Sequence, residues 1–392
     1  MAGVTDTKWA TVLAAIHQTG NGVTGIESIA PATLAATEST GDCMAKKILI
    51  LDGISGISLG HDIHQTLIEL GQNSSYCNLA GLSRLKLYKP RQALAKLRHK
   101  QIEKDGFVYL PKCRFDALES ILRQEQPDSI VVIGFAYRFV DPAALKRLAE
   151  HYQAELFLYD TDSCNLYSNR REFIFFLQQE VAVYDHVFSF SEVVTAFLQR
   201  QGIDASFAPF GARPVSLPEP EQQHEVLFVG SGDLRRIFLL ESICESLTVF
   251  GNRWQRHYPL MSAALKQRVT DRPLWGEELH QHMAGAKIIL NITRAPFYAV
   301  ETGINLRIFE ALAAGCFMLT DYCDEVADLF EPGQEIETFK GSEELRDKVQ
   351  FYLNNEAARQ AIARRGRDKV CSLYTWPARV AEMLDRINAE PA

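Results

Sequence analysis

The chain has 392 residues, of which 47% are apolar and 23% charged, with a formal net charge of -8. Such a length supports two folded domains, and the acidic balance excludes a generally basic surface for coating nucleic acid. No apolar run approaches the roughly 18 to 20 residues that a bilayer-crossing helix needs.

The eight cysteines, Cys43, Cys77, Cys113, Cys164, Cys244, Cys316, Cys323 and Cys371, contain no C-x-x-C pair and have no His cluster at zinc-ligand spacing. They point to reduced, mostly buried thiols in a cytoplasmic protein, with no metal site expected. Residues 1–44 are rich in Ala, Thr and Gly and lack the basic start and long apolar core of a secretory signal. A loosely attached extension, or an upstream start, is expected there.

From Lys46 the run "KKILILDG" predicts a strand. A loop through Gly53, Gly56 and Gly60 follows, then a helix with Ile63, Leu67 and Leu70 on one face. The alternation continues with "SIVVIG" at 129–134, a helix started by Pro142, "ELFLYD" at 155–160, a helix near Glu172 and "HVFSF" at 186–190. Continuous apolar strands separated by helices indicate a parallel sheet covered on both faces. The segment 84–104 stands apart, with eight Lys or Arg against the single acid Glu103 and an apolar stripe through Leu94, Leu97 and Ile102. It predicts a basic amphipathic helix, which is either a solvated face or a surface for anionic lipid or an acidic acceptor.

Three prolines between Ala212 and His224 mark a linker. The expected N-terminal, acceptor-side domain is therefore 45–215, with a second domain over 216–375 and a last helix at 376–392 that packs back on the first. "EVLFVG" at 225–230 opens the second domain, with Ser231, Gly232 and a helix from about Arg236 after it. "KIILNIT" at 287–293 and "CFMLTD" at 316–321 are further buried strands.

Two such domains in series form a cleft at the carboxyl ends of their strands, where open α/β sheets bind ligands. "GSGDLRR" has Arg235 where a dinucleotide fingerprint needs its third glycine, which disfavours NAD. A loop of small residues at Gly230, Ser231 and Gly232 still offers amides to a phosphate, and Arg235 or Arg236 can add charge. In "ETGINLRIFEALAAGCFMLTD", Arg307 and Glu310 share a face of a helix that begins near Asn305. Arginine at a helix start suits a diphosphate, and a carboxylate one turn on can accept ribose hydroxyls. The bland alternative is an ordinary surface ion pair.

With "LWGEELHQHMAGAKIILN", "VADLFEPGQEIETFKGSEELRDKVQFYLNN" and "IARRGRDKVCSLYTWPARVAEML", this stretch resembles the C-terminal domain of the CgeB-like spore-maturation glycosyltransferases, related to the retaining group 1 enzymes of the GT-B fold. The resemblance implies a GT-B architecture and a nucleoside diphosphate sugar, UDP-linked above all, as donor. It implies that Glu310 binds the donor ribose, that Arg307 and the loop at Thr302 and Gly303 face the diphosphate, and that Trp275 and Gly276 lie near the base. Asn291 and Asn305 complete the expected donor set. The related retaining enzymes have two glutamates eight apart, whereas Glu301 precedes Glu310 by nine, so a retaining mechanism does not carry over.

Asp160 and Asp162 in "YDTDS" and His61 after the first glycine loop are the catalytic candidates. Either aspartate, or a neutral imidazole at His61 or His64, can act as general base toward an acceptor hydroxyl. A D-x-D metal site is set aside because the donor motif lies in a separate domain. Epimerase, hydrolase and non-catalytic sugar-nucleotide-binding alternatives share the same plan.

Overall fold

The computed structural model describes residues 46–54, 59–102 and 107–389, with side chains of 98–102 left aside. The expected extension at 1–44 and the loop glycine Gly56 lie outside the described residues.

The first half holds β1 (Ile48–Asp52), α1 (Leu59–Glu69), β2 (Ser74–Asn78), α2 (Tyr88–Ile102), α3 (Phe115–Glu125), β3 (Ser129–Ile133) and α4 (Pro142–His151). It continues through β4 (Glu155–Asp160), α5 (Arg170–Phe175), β5 (His186–Ser189), α6 (Glu192–Arg200) and β6 (Ala205–Phe207). All five residues of β1 and of β3 are buried, as strands covered on both faces must be. The sheet order is β2-β1-β3-β4-β5-β6, every pairing parallel, so the chain reverses direction of travel between β1 and β3. Ile63 and Leu67 of α1 are buried on this sheet, while Leu70 falls one residue past the helix and is exposed.

The second half holds β7 (His224–Val229), α7 (Leu234–Glu241), β8 (Leu247–Phe250), α8 (Ala263–Arg268), β9 (Val269–Thr270), α9 (Gly276–Ala284), β10 (Ala286–Asn291) and α10 (Ala295–Tyr298). Then come α11 (Leu306–Ala313), β11 (Met318–Asp321), α12 (Asp324–Leu329), β12 (Glu337–Phe339), α13 (Ser342–Asn354), α14 (Glu356–Leu373) and α15 (Trp376–Ile387). Its sheet, β12-β11-β10-β7-β8-β9, is also wholly parallel and switches between β7 and β10. Helix α7 begins at Leu234, two residues before the expected start, because the Asp233 side chain accepts the Arg235 amide and caps it there.

Helix α15 crosses back to the first half. Trp376, Val380, Met383, Leu384 and Ile387 are buried in the same apolar cluster as Ile63 and Leu67 of α1. Lys46 Nζ donates to the Ile387 carbonyl at 2.8 Å, and Arg386 pairs with Asp204 at 2.6 Å. Where the chain crosses, the Ala212 amide donates to the Tyr374 carbonyl at 2.9 Å and the Trp376 amide to the Ala212 carbonyl at 3.3 Å. Gly211 fits this crossing because a Cβ there would sit 2.9 Å from the Trp376 backbone and ring. Among the described residues no helix is long and apolar enough to cross a membrane.

Candidate active site

At the carboxyl edge of the second sheet, α11 starts on Asn305. Its side-chain oxygen accepts the Arg307 amide at 3.1 Å, and its Nδ2 donates to Asn291 Oδ1, also at 3.1 Å. Asn291 in turn donates to Thr320 Oγ1 at 2.8 Å, which ties the helix start to the ends of β10 and β11. One turn on, Arg307 Nη1 donates to Glu310 Oε2 at 2.6 Å. The pair is open: the Glu310 side chain is 35% exposed, and Arg307 Nε is buried without an acceptor. A guanidinium with a donor in hand and a carboxylate with a free oxygen can each take one more partner.

The β7–α7 loop is built differently from its sequence pattern. The amides of Gly230 and Gly232 donate to the carbonyls of Phe250 and Asn252, at 2.9 and 2.8 Å. Gly232 is packed so closely that a Cβ would meet the Arg253 carbonyl at 2.7 Å. These glycines hold the β7–α7 loop against the β8 loop. Ser231 gives its carbonyl to Arg236 Nη1 at 2.8 Å.

Arg236 is buried, and both its Nε and Nη2 donate to the Ile292 carbonyl, at 2.9 and 2.7 Å. Burial, helped by the neighbouring Arg294 charge, brings its guanidinium down to about 10, so it stays charged at neutral pH. In this arrangement its donors hold the loop to the end of β10. Arg235 is the more open of the two. It pairs with the buried Asp321 at 2.6 Å, donates to the Thr293 carbonyl at 2.8 Å and lies 3.6 Å from the centre of the Tyr298 ring. Asp321 also accepts the Thr293 amide and hydroxyl, so one carboxylate fixes both Arg235 and the loop after β10.

Trp275 stands half exposed just before α9, and Gly276 has a φ of 54°. Thr302 and Gly303 are buried, and a Cβ on Gly303 would lie 2.6 Å from Cys323 Sγ. Glu301 is exposed in the left-handed region, with φ 62°.

Across the cleft, Asp160 and Asp162 follow β4. Asp160 is buried and accepts the Ser163 amide at 3.0 Å and its hydroxyl at 2.5 Å, which makes it the support of its own turn. Burial raises its carboxyl, against those hydrogen bonds. Asp162 is pushed up to about 6, chiefly by burial, while the Arg294 charge from the second half pulls the other way. Arg294 itself keeps a buried Nε without an acceptor. Contact between the halves runs beside them, with Phe190 and Phe297 rings 5.9 Å apart.

His61 is exposed on α1, its ring edge-on to Tyr76 at 5.7 Å. His64 stacks on Tyr76 and lies 3.0 Å from Ser74 Oγ, and burial lowers its imidazole. The Tyr76 hydroxyl donates to the buried Asp52 at 2.9 Å. His61 thus belongs to a different corner of the first half's sheet edge from Asp162.

Glu325, at the start of α12, was not singled out in the sequence and has the densest set of contacts. Its Oε1 accepts the Ser191 hydroxyl and the Glu192 amide at 2.6 Å each, and the Val193 amide at 3.3 Å. Its Oε2 accepts the Thr302 hydroxyl. A carboxylate of the second half therefore caps helix α6 of the first and holds the loop before α11. No sequence pattern links residues 134 positions apart. Asp321 did carry a signal, since it ends an apolar strand as Asp160 does.

Residues 235–385 match the sequence family described as Glycosyl transferase-like. No curated protein matches the sequence. Among solved structures, sucrose-phosphate synthase from Thermosynechococcus elongatus is similar at 14% identity and TM-score 0.59, covering 87% of this chain and 98% of that one. Anabaena HepE in complex with UDP-glucose is similar at 13% identity and TM-score 0.59, covering 87% of this chain and 100% of that one. A glycosyltransferase from Rickettsia africae is similar at 10% identity and TM-score 0.55, covering 88% and 98%.

The two parallel six-stranded sheets have the GT-B fold of these structures, and residues 235–385 carry the glycosyl transferase-like match. The matched segment holds Arg235, the α11 pair and Asp321.

Proposed function

We propose that the chain transfers a hexosyl group from a UDP-sugar to an acceptor hydroxyl held by the first half, and that it is of the CgeB-like kind. The observation that carries the donor assignment is the open Arg307–Glu310 pair, one turn into the Asn305-capped helix at the switch between β7 and β10. Anabaena HepE, of similar fold, was solved with UDP-glucose, which supports a uridine nucleotide donor.

In this reading Glu310 accepts a ribose hydroxyl through its free oxygen. Trp275 offers an indole face to the base. As the bond between the anomeric carbon and the β-phosphate oxygen breaks, its electron pair stays with that oxygen and negative charge grows on the departing diphosphate. Arg307 and Arg235 answer that charge, each interaction contributing about 2 to 4 kcal/mol in a water-poor cleft. Arg236 contributes indirectly by fixing the loop. Asp162, ionised above about pH 6, is placed in this scheme as the group that takes the acceptor proton, while Asp160 shapes its turn. No step calls for a metal.

Glu310→Ala tests the donor assignment. Titration calorimetry with UDP should show affinity falling by at least tenfold, with the thermal unfolding midpoint near that of the parent. Unchanged binding heat would remove Glu310 from the donor site.

A further inference from the structure

Helix α2 and the turn before it form a surface that glycosyl transfer does not use. Between Arg84 and Ile102 lie seven of the chain's 41 Lys and Arg residues and none of its 49 acids, although the whole chain carries a net charge of -8. Lys86, Lys89, Arg91 and Lys96 are exposed, and none has an ion-pair partner among the described residues. Set among these cations, Leu87, Leu94 and Leu97 are 74%, 50% and 63% exposed. Leu94 and Leu97, three apart, share one side of α2, and Leu87 stands in the turn just before the helix with a φ of 55°. A solvated basic face has no use for three leucines in water, whereas a headgroup layer takes the leucines below the phosphates and the ammonium groups among them.

The location supports the same occupant. The segment leaves the carboxyl end of β2 at Asn78 and returns at Cys113, where Leu85 N donates to the Lys112 carbonyl at 2.8 Å and Arg84 bridges to Cys113. It therefore stands on the sheet edge that also bears Asp52 and Asp160. We propose that α2 docks this protein on an anionic membrane surface, with Leu87, Leu94 and Leu97 inserted and Lys86, Lys89, Arg91 and Lys96 facing lipid phosphates. Docked in this way, the acceptor half of the cleft opens beside the headgroup layer and takes acceptors anchored there.

The test uses the full chain and sedimentation with vesicles of phosphatidylcholine alone or with one-third phosphatidylglycerol. The wild type should bind the anionic vesicles at least tenfold more tightly than the neutral ones, and less as salt rises. Both Lys86→Glu/Lys89→Glu/Lys96→Glu and Leu94→Ser/Leu97→Ser should lose at least tenfold, with unfolding midpoints unchanged because every substituted side chain is exposed. Absence of binding to anionic vesicles at low salt overturns the proposal. So does retention of wild-type vesicle binding by the leucine variant when the lysine variant has lost it, together with equal sensitivity to soluble polyphosphate, since that pattern marks a site for a free acidic polymer.

Discussion

Replacing Glu325 should loosen the contact between the halves by an amount the hydrogen bonds allow one to work out. In Glu325→Ala the Ser191 hydroxyl can turn to another acceptor and the Val193 bond is long, but the Glu192 amide is fixed and loses a 2.6 Å charge-assisted partner. The Thr302 hydroxyl loses its partner as well. With about 1.5 to 3 kcal/mol for each of the two groups left without a partner, the Glu192 amide and the Thr302 hydroxyl, the alanine variant should be destabilised by about 3 to 6 kcal/mol. Glu325→Gln keeps one carbonyl oxygen for the α6 amides and turns its amide group toward Thr302 Oγ, so its loss should be about 1 kcal/mol. Urea unfolding followed by circular dichroism measures both, and small-angle scattering should find the alanine variant more open. Equal losses in the two variants, or a loss under about 1 kcal/mol in both, would refute the cap as the tie between the halves.

Asp162 gives a pH prediction. Its carboxyl is raised from 3.8 to about 6, so its contribution to stability is complete below 3.8 and is lost as pH rises through 6. Transfer that needs the ionised form should rise through the same window, and Asp162→Asn should flatten both profiles when turnover and unfolding midpoint are followed from pH 4 to 8. Gly303→Ala places a methyl group 2.6 Å from Cys323 Sγ, with Val326 next at 3.3 Å. Donor affinity should fall several-fold, and a second change, Cys323→Ala, should restore most of it; no recovery in UDP titrations would mean that the loop is limited elsewhere.

The sheets were legible because buried parallel strands are near-continuous apolar runs, and "ILILD", "SIVVI" and "ELFLYD" became β1, β3 and β4. Helix starts were legible where the sequence marks them, as at Pro142 and Asn305. The internal contacts of Arg236 were not legible. An arginine at a helix start looks like an anion ligand, and its actual acceptor, the Ile292 carbonyl, is backbone and leaves no mark in the sequence. Gly230 and Gly232 were read as amide donors to a phosphate, and nothing in the sequence showed that their amides donate to the Phe250 and Asn252 carbonyls of the β8 loop. The stripe on α2 was foreseen at Leu94 and Leu97, but only coordinates reveal that nothing covers it. The side chain of Ile102, the third member, lies outside the described residues.

The double crossing near Ala212 and Thr375 limits how this molecule can move. Two segments laid side by side and tied through backbone bonds on both sides of Ala212 behave like the paired leaves of a door hinge. Swinging about them leaves those bonds intact, whereas sliding one half along the other would tear them. The tail helix travels with the opposite leaf, so a label at the exposed Asn388 and another on α13 would report the swing angle directly.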